Sequence, residues 1–419
     1  MSIKRKTNNT KNKTPNTTNT QTNQKHYLIP LSATLITTLL LGIIFLSLIY
    51  PNLHTPPTQP TPNIPIINPP YTTPQLQWTQ NIEHGAAYGI VVTNGVIYVN
   101  TFTNGWLYAF NATDHTEIWA RQFYGDWDLS APPVVANNII YLQARSVFFA
   151  LNAKDGTTLW TYDASGGSTP TVTNNIVYFC SEYAGANTEN TETQRGVVSA
   201  LNAKTGTKIW SYQTGTSSIR STPIITNNIA YIVAGINSDN QELYALNATT
   251  GKLVWKSTIK SPYGLTPTVT NNIIYIGSNN QTLYALNTTN GEKIWTTKTN
   301  NNIKNLTNKY GIIYTYTDKT LYALNAATGK KLWNYPTGEG VFGTCLDVTD
   351  GIVYVGCGTY KDMTLCALNA ATGKKLWNYP LGATSTLYIS ANTLTNDIVY
   401  VCCDKNLYAF TTLKPLETP

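Results

Sequence analysis

The sequence predicts an all-β fold: a closed ring of eight four-stranded antiparallel sheets, preceded by one transmembrane helix. Three observations carry this reading. The first is a stretch that recurs along the chain, seen at Leu243-Tyr-Ala-Leu-Asn-Ala-Thr-Thr-Gly-Lys-Leu-Val-Trp255. Its alanine returns at Ala109, Ala150, Ala200, Ala245, Ala285, Ala323, Ala367 and Ala409, spaced 38 to 50 residues apart, a period typical of tandem repeats. The second is a hairpin signal upstream of the copies, and the third is how the count of copies closes on itself.

The chain begins with Asn, Thr and Lys and almost nothing apolar over residues 1–26, a composition that cannot build a core and reads as a disordered tail. Tyr27 to Tyr50 then carries no charge, and at about 1.5 Å per residue it spans a bilayer core of about 30 Å. A cleaved signal peptide would have a shorter apolar region and a small-residue cleavage site, which is not evident. A lipoprotein signal is excluded because the first cysteine is Cys180. Lys4, Arg5, Lys6, Lys11, Lys13 and Lys25 precede the span and place that end in the cytoplasm. The expectation is a retained single-pass anchor in the plasma membrane, with everything after it extracytoplasmic. Residues 51–75 hold nine prolines, which favour extended conformations and make a semi-rigid spacer.

From residue 76 each repeat pairs two hairpins. Thr222-Pro-Ile-Ile-Thr-Asn-Asn-Ile-Ala-Tyr-Ile-Val233 shows the first, a strand a, a two-residue turn and a strand b. The turn pairs Asn94-Gly95, Asn137-Asn138, Asn174-Asn175, Asn227-Asn228, Asn271-Asn272 and Asp350-Gly351 tolerate the positive φ that such a turn demands. The recurring stretch supplies strand c, a turn ending in glycine, and a strand d that carries tryptophan. Four strands repeated in tandem make a propeller blade. The last alanine strand, Leu407-Tyr-Ala-Phe410, has no tryptophan strand after it, whereas Gln75-Leu-Gln-Trp78 precedes the first hairpin. The two ends therefore share the eighth blade, and the domain spans 76–419.

Eight tryptophans (Trp78, Trp119, Trp160, Trp210, Trp255, Trp295, Trp333, Trp377) and eight strand-b tyrosines (Tyr98, Tyr141, Tyr178, Tyr231, Tyr275, Tyr314, Tyr354, Tyr400) are assigned to packing between blades. The motif resembles the tryptophan-docking repeat of pyrroloquinoline-quinone-type propellers, A-x-D-x-x-T-G-x-x-x-W, with asparagine for aspartate at Asn111, Asn152, Asn202, Asn247, Asn287, Asn325 and Asn369. That repeat serves quinoprotein dehydrogenases and non-catalytic scaffolds alike, and this chain resembles the scaffolds more closely. In the dehydrogenases the quinone lies between a tryptophan and a disulfide of adjacent cysteines, over a calcium ion held by acidic and amide side chains. Cys402-Cys403 is the one adjacent pair here. Neighbours on a strand point to opposite faces, so two separate thiols are favoured, and no acidic calcium set can be matched.

Charge excludes more than it assigns. Only 12% of residues are charged, and without the six basic residues of the tail 22 Lys and Arg stand against 21 Asp and Glu, so a nucleic-acid surface is not expected. His26, His54, His84 and His115 are scattered, with no metal-ligand spacing and no nucleophile–base arrangement. No catalytic residue, metal or cofactor is expected.

What is left gathers on the open rim, where strands d and a, and b and c, are joined by loops. The residues singled out there are Trp106, Tyr124, Asp126, Trp127, Asp128, Arg145, Glu182, Arg220, Glu339 and Asp347, with Trp106 and Trp127 expected to form one aromatic platform for a sugar face or an apolar anchor. Cys345, Cys357, Cys366, Cys402 and Cys403 fall near the same rim, either bridging, with Cys345 near-opposite Cys357, or filling small buried positions. Three of the five sequons beyond the apolar span (Asn111, Asn247, Asn280, Asn287, Asn305) lie within the repeat itself. The expected function is a membrane-anchored platform at the cell envelope that binds another protein without catalysis. The alternatives are a quinoprotein-type oxidoreductase with quinone and calcium, and a glycan-binding or structural envelope module.

Overall fold

The computed structural model describes residues 64–65 and 73–412, apart from 103, 124–128, 130, 185–195, 216–218, 220, 236–239, 261–265, 279, 339–345, 360, 383–386 and 391–396. The tail, the apolar run 27–50 and most of the spacer lie outside the described residues. Among the described residues no helix is long and apolar enough to cross a membrane. Residues Gln59–Pro419 form one compact unit.

Eight antiparallel sheets make up that unit. Blade one runs from inner to outer strand as Ala87–Thr93, Val96–Thr101, Trp106–Asn111 and Glu117–Gln122. Blades two to seven follow in chain order. Blade eight joins Leu387–Ser390, Ile398–Cys403 and Asn406–Thr411 to Leu76–Asn81 from the other end of the chain. The pairing of Trp78 with Ala409 repeats the pairing of Trp119 with Ala109, so Leu76–Asn81 is the strand d of the eighth blade.

Each turn obeys the chemistry read from its residues. Asn137 and Asn138 have φ of 51° and 60°, and the other asparagine pairs match them. In the c–d turns the motif asparagine accepts backbone N–H groups two or three residues on, as Asn247 Oδ1 does from Thr249 (3.1 Å) and Thr250 (2.9 Å). The turn needs a side-chain acceptor rather than a charge, which explains why asparagine serves where the repeat more often carries aspartate.

The core is divided into eight layers, each drawn from two neighbouring blades and each holding one docking tryptophan at its outer edge. In five layers one backbone carbonyl of the next blade accepts both the indole N–H and the strand-b tyrosine hydroxyl. Ala203, for example, accepts from Trp160 at 3.1 Å and Tyr141 at 2.9 Å. The aromatic pair thus buries apolar area while satisfying its polar ends.

The seam follows the same plan with one change. Tyr400 donates to the Ala112 carbonyl at 3.1 Å, but His115 occupies the position of the motif glycine and stacks on Trp78 with centroids 4.4 Å apart. Burial pulls the His115 imidazole below its ordinary value, opposed by the carboxylate of Asp114. Unfolding restores the ordinary value, near 6.5, so the unfolded chain binds the proton more readily. The contribution of this contact is therefore complete above that value. It is lost as pH falls towards the folded value. A melting series between neutral and mildly acidic pH should show a decline that His115→Gly removes.

Part of the proline-rich stretch meets the ring. Ile64 packs against the layer between blades six and seven.

Candidate functional site

The b–c and d–a loops share one rim, here the loop rim; the a–b and c–d turns share the other, the turn rim. On the loop rim of blades two and three the chain does something the repeat does not require. After strand b of blade three, Tyr183–Ala184 crosses back and pairs with Ala164 and Ser165, adding a fifth strand to blade two. Two hydrogen bonds anchor the crossing: Glu182 N donates to Ser165 O at 2.8 Å, and Gly196 N donates to Glu182 O at 3.1 Å.

Gly166 is the hinge of this arrangement. Its φ is 62°, its N–H donates to the Arg145 carbonyl at 2.8 Å, and the Glu182 carboxyl packs over its α-carbon, about where a β-carbon would stand 3.0 Å from Cδ. Arg145 itself holds a positive φ of 41° at the tip of the b–c turn of blade two and is exposed. Two candidates separated by 37 positions in the sequence are thereby brought to one bend.

Beneath them lies a residue that sequence reasoning missed. Gln143 is fully buried on strand b, and its amide donates to the carbonyls of Ala164 (2.6 Å) and Arg145 (3.2 Å), clamping the d–a loop. Its Oε1 and the buried Ser181 hydroxyl have no partner in the protein. Asn100 does the same in blade one, donating to Leu129 (3.2 Å) and Ala131 (3.3 Å). The available signal was an amide inside an otherwise apolar strand, two residues past the repeating tyrosine. Orphan acceptors under a charged bend suit an ordered water or the polar end of a bound group.

The remaining candidates do not join this bend. Trp106 opens strand c of blade one and faces the layer shared with blade eight, where it stacks on His84 (4.4 Å) and Tyr108 (5.7 Å). Strand alternation sends Leu107, not Trp106, towards blade two, and Trp127, the expected partner of Trp106 in an aromatic platform, lies outside the described residues. Burial raises Tyr108 to about 12, so it stays a neutral phenol. Asp347 lies on the inner strand of blade seven, four blades on from blade three, and its carboxylate accepts the backbone N–H of Val348 at 2.7 Å. Tyr124, Asp126, Trp127, Asp128, Arg220 and Glu339 lie outside the described residues.

The cysteines correct one expectation. Cys357 is bonded to Cys366, with α-carbons 6.1 Å apart, rather than to Cys345, which lies outside the described residues. Val355 faces Cys366 and Cys357 faces Thr364, so the bridge runs diagonally between strands b and c of blade seven. Cys402 and Cys403 are not joined to each other and point into different layers, Cys402 towards blade one and Cys403 towards blade seven.

That placement tests the quinone site of related enzymes. Both thiols of the adjacent pair are buried between blades and cannot form a plate over a channel ligand. Among the described residues no three His, Cys, Asp or Glu side chains converge to hold a metal ion. Among the described residues, neither the cysteine plate nor the calcium-holding set of those enzymes is present.

A family model described as outer membrane protein assembly factor BamB matches residues 67–234, 194–309 and 307–413. The chain belongs to this family. BamB from Moraxella catarrhalis superposes with a TM-score of 0.60 at 17% identity, covering 81% of this chain and 98% of that one. Quinohemoprotein alcohol dehydrogenase from Comamonas testosteroni superposes with a TM-score of 0.62 at 16% identity over 82% of this chain and 78% of the enzyme. At such identities the likeness speaks for the fold alone. A curated relative, tetrathionate hydrolase of Acidithiobacillus ferrooxidans, is 26% identical over 218 residues, which are 45% of this chain and 40% of that protein. The chain thus matches two fifths of the relative's length.

Proposed function

We propose that this chain is a binding platform at the cell envelope: a propeller held outside the plasma membrane by one N-terminal span, engaging another protein through the loop rim of blades two and three, without catalysis of its own. The observation that carries the reading is the Arg145–Gly166–Glu182 bend. It sets opposite charges on a rigid rim above unpartnered buried acceptors, and it exists because a loop has been added to the repeat. The family assignment supports a scaffold role, and the Cys357–Cys366 bond supports an oxidising compartment.

The test is capture from detergent-solubilised envelopes with the full chain as bait. Arg145→Ala with Glu182→Ala should lose the captured protein while the melting temperature stays nearly unchanged, since both groups sit on the rim. Capture that survives the double change overturns this assignment of the surface. The relative named as a tetrathionate hydrolase motivates a second reading, that this chain cleaves a sulfur-oxyanion substrate. Turnover of tetrathionate by the purified chain would favour it over the platform. Dye-linked alcohol oxidation after adding quinone and calcium would favour the oxidoreductase.

A further inference from the structure

The turn rim carries a pattern that neither the repeat's packing nor the proposed partner site uses. Strand d enters each blade at this rim, and the residue before the docking tryptophan points away from the core. In six blades it is a large aliphatic side chain, namely Ile118, Leu159, Ile209, Val254, Ile294 and Leu332, each between 45% and 52% exposed. The same rim is cationic on one side only. Blade three contributes Lys204 and Lys208, blade four Lys252 and blade five Lys293, all exposed. Blades six and seven add the exposed pairs Lys330-Lys331 and Lys374-Lys375. Glu292 and Asp350 are the carboxylates in the turns of that sector, whereas blades one and two carry Asp114, Glu117 and Asp155 against the single exposed Lys154. The ion pairs Lys256–Glu242 and Lys304–Asp318 do not involve these lysines.

We propose that the turn rim of blades three to seven is a docking surface for an anionic lipid bilayer. Lysine followed by an exposed aliphatic, repeated around a rim, offers charge to headgroups and an apolar side chain to the acyl boundary beneath them. A nucleic acid would use the lysines but not the aliphatic series. The route of the chain points the same way. Leu76–Asn81 starts at the turn rim, where Thr411 N donates to Gln75 O at 3.0 Å. Ile64 lies against the layer between blades six and seven, the two blades with paired lysines. Resting on the reading of 27–50 as a span, 13 residues separate the apolar run from Ile64, a reach of about 43 Å when extended, which keeps this rim within reach of the membrane.

The experiment reconstitutes the full chain in vesicles of phosphatidylcholine alone or with phosphatidylglycerol, and reads amine labelling by mass spectrometry. With phosphatidylglycerol, labelling of Lys208, Lys252, Lys330 and Lys374 should fall about fivefold, while Lys361 and Lys405 on the loop rim stay unchanged. High salt should abolish the protection. Lys330→Glu, Lys331→Glu, Lys374→Glu and Lys375→Glu together should return Lys208 and Lys252 to the phosphatidylcholine level, with an unchanged melting temperature showing that the fold persists. Equal labelling in both vesicles, or equal protection of both rims, overturns the proposal, as does protection by duplex DNA without protection by phosphatidylglycerol. Alkaline extraction of the same vesicles reads the span separately. Chain retained but unprotected refutes docking alone; chain released from vesicles in which it was protected refutes the span alone.

Discussion

A chain lacking residues 76–81 melts about 10 °C or more below the full chain and loses the single cooperative transition of a closed ring. The deleted strand supplies the outer edge of blade eight through pairs from Leu76–Phe410 to Asn81–Asn406. Without it Asn406–Thr411 becomes an unpaired edge, a known route to association. Trp78 also leaves the eighth layer, where it meets Phe110 edge-on at 6.0 Å and stacks on His115. Truncating a fully buried tryptophan costs about 3–5 kcal/mol. Trp78 is half-buried, so its own share is about half of that, and the lost ladder adds to it. Trp78→Ala should therefore recover only part of the deletion's effect. Calorimetry of the three chains reads the difference, and equal melting of all three would mean that blade eight closes without its outer strand.

The second large effect belongs to the motif glycine. Gly329 has φ of 70°, and a methyl group there would stand 2.5 Å from Cε3 of Trp295 and 2.6 Å from the Thr297 hydroxyl. Gly329→Ala combines a left-handed backbone, at about 1–2 kcal/mol, with overpacking of a docking site, at about 1–3 kcal/mol. Gly95 separates the two terms, because its φ is 74° and nothing lies within 4 Å of the added methyl. Gly95→Ala should show the backbone cost alone, so Gly329→Ala should destabilise more in denaturant titrations. Equal losses would mean that the indole yields and that the close approach carries no energy.

The strands, the turns and the closure behind these effects are legible in the sequence; the approach of Gly329 to Trp295 is not. Ala-x-Asn to Gly to Trp fixes strand, turn and strand by local rules, and the odd tryptophan at position 78 fixes the closure by counting. The candidate site was legible only in pieces. Arg145 and Glu182 stand out as charges in loops, but their meeting at Gly166 depends on Tyr183–Ala184 pairing with another blade's strand, and pairing across 18 residues leaves no periodic trace. The facing of Trp106 was open to strand alternation once Leu107 and Ala109 were assigned to one layer, yet rim position alone had placed it beside Trp127. The bridge partner of Cys357 turned on a diagonal between strands b and c, which register decides and spacing does not.

The claim that the loop rim of blades two and three holds a partner protein is tested most directly by photo-crosslinking in intact cells. A photoreactive amino acid replaces Arg145 or Glu182 in one set of chains and Ile209 or Leu332 on the turn rim in another. A discrete protein adduct from the loop-rim positions, with none from the turn rim, is the predicted result. A protein adduct from Ile209 or Leu332 with nothing captured at 145 or 182 would contradict the account.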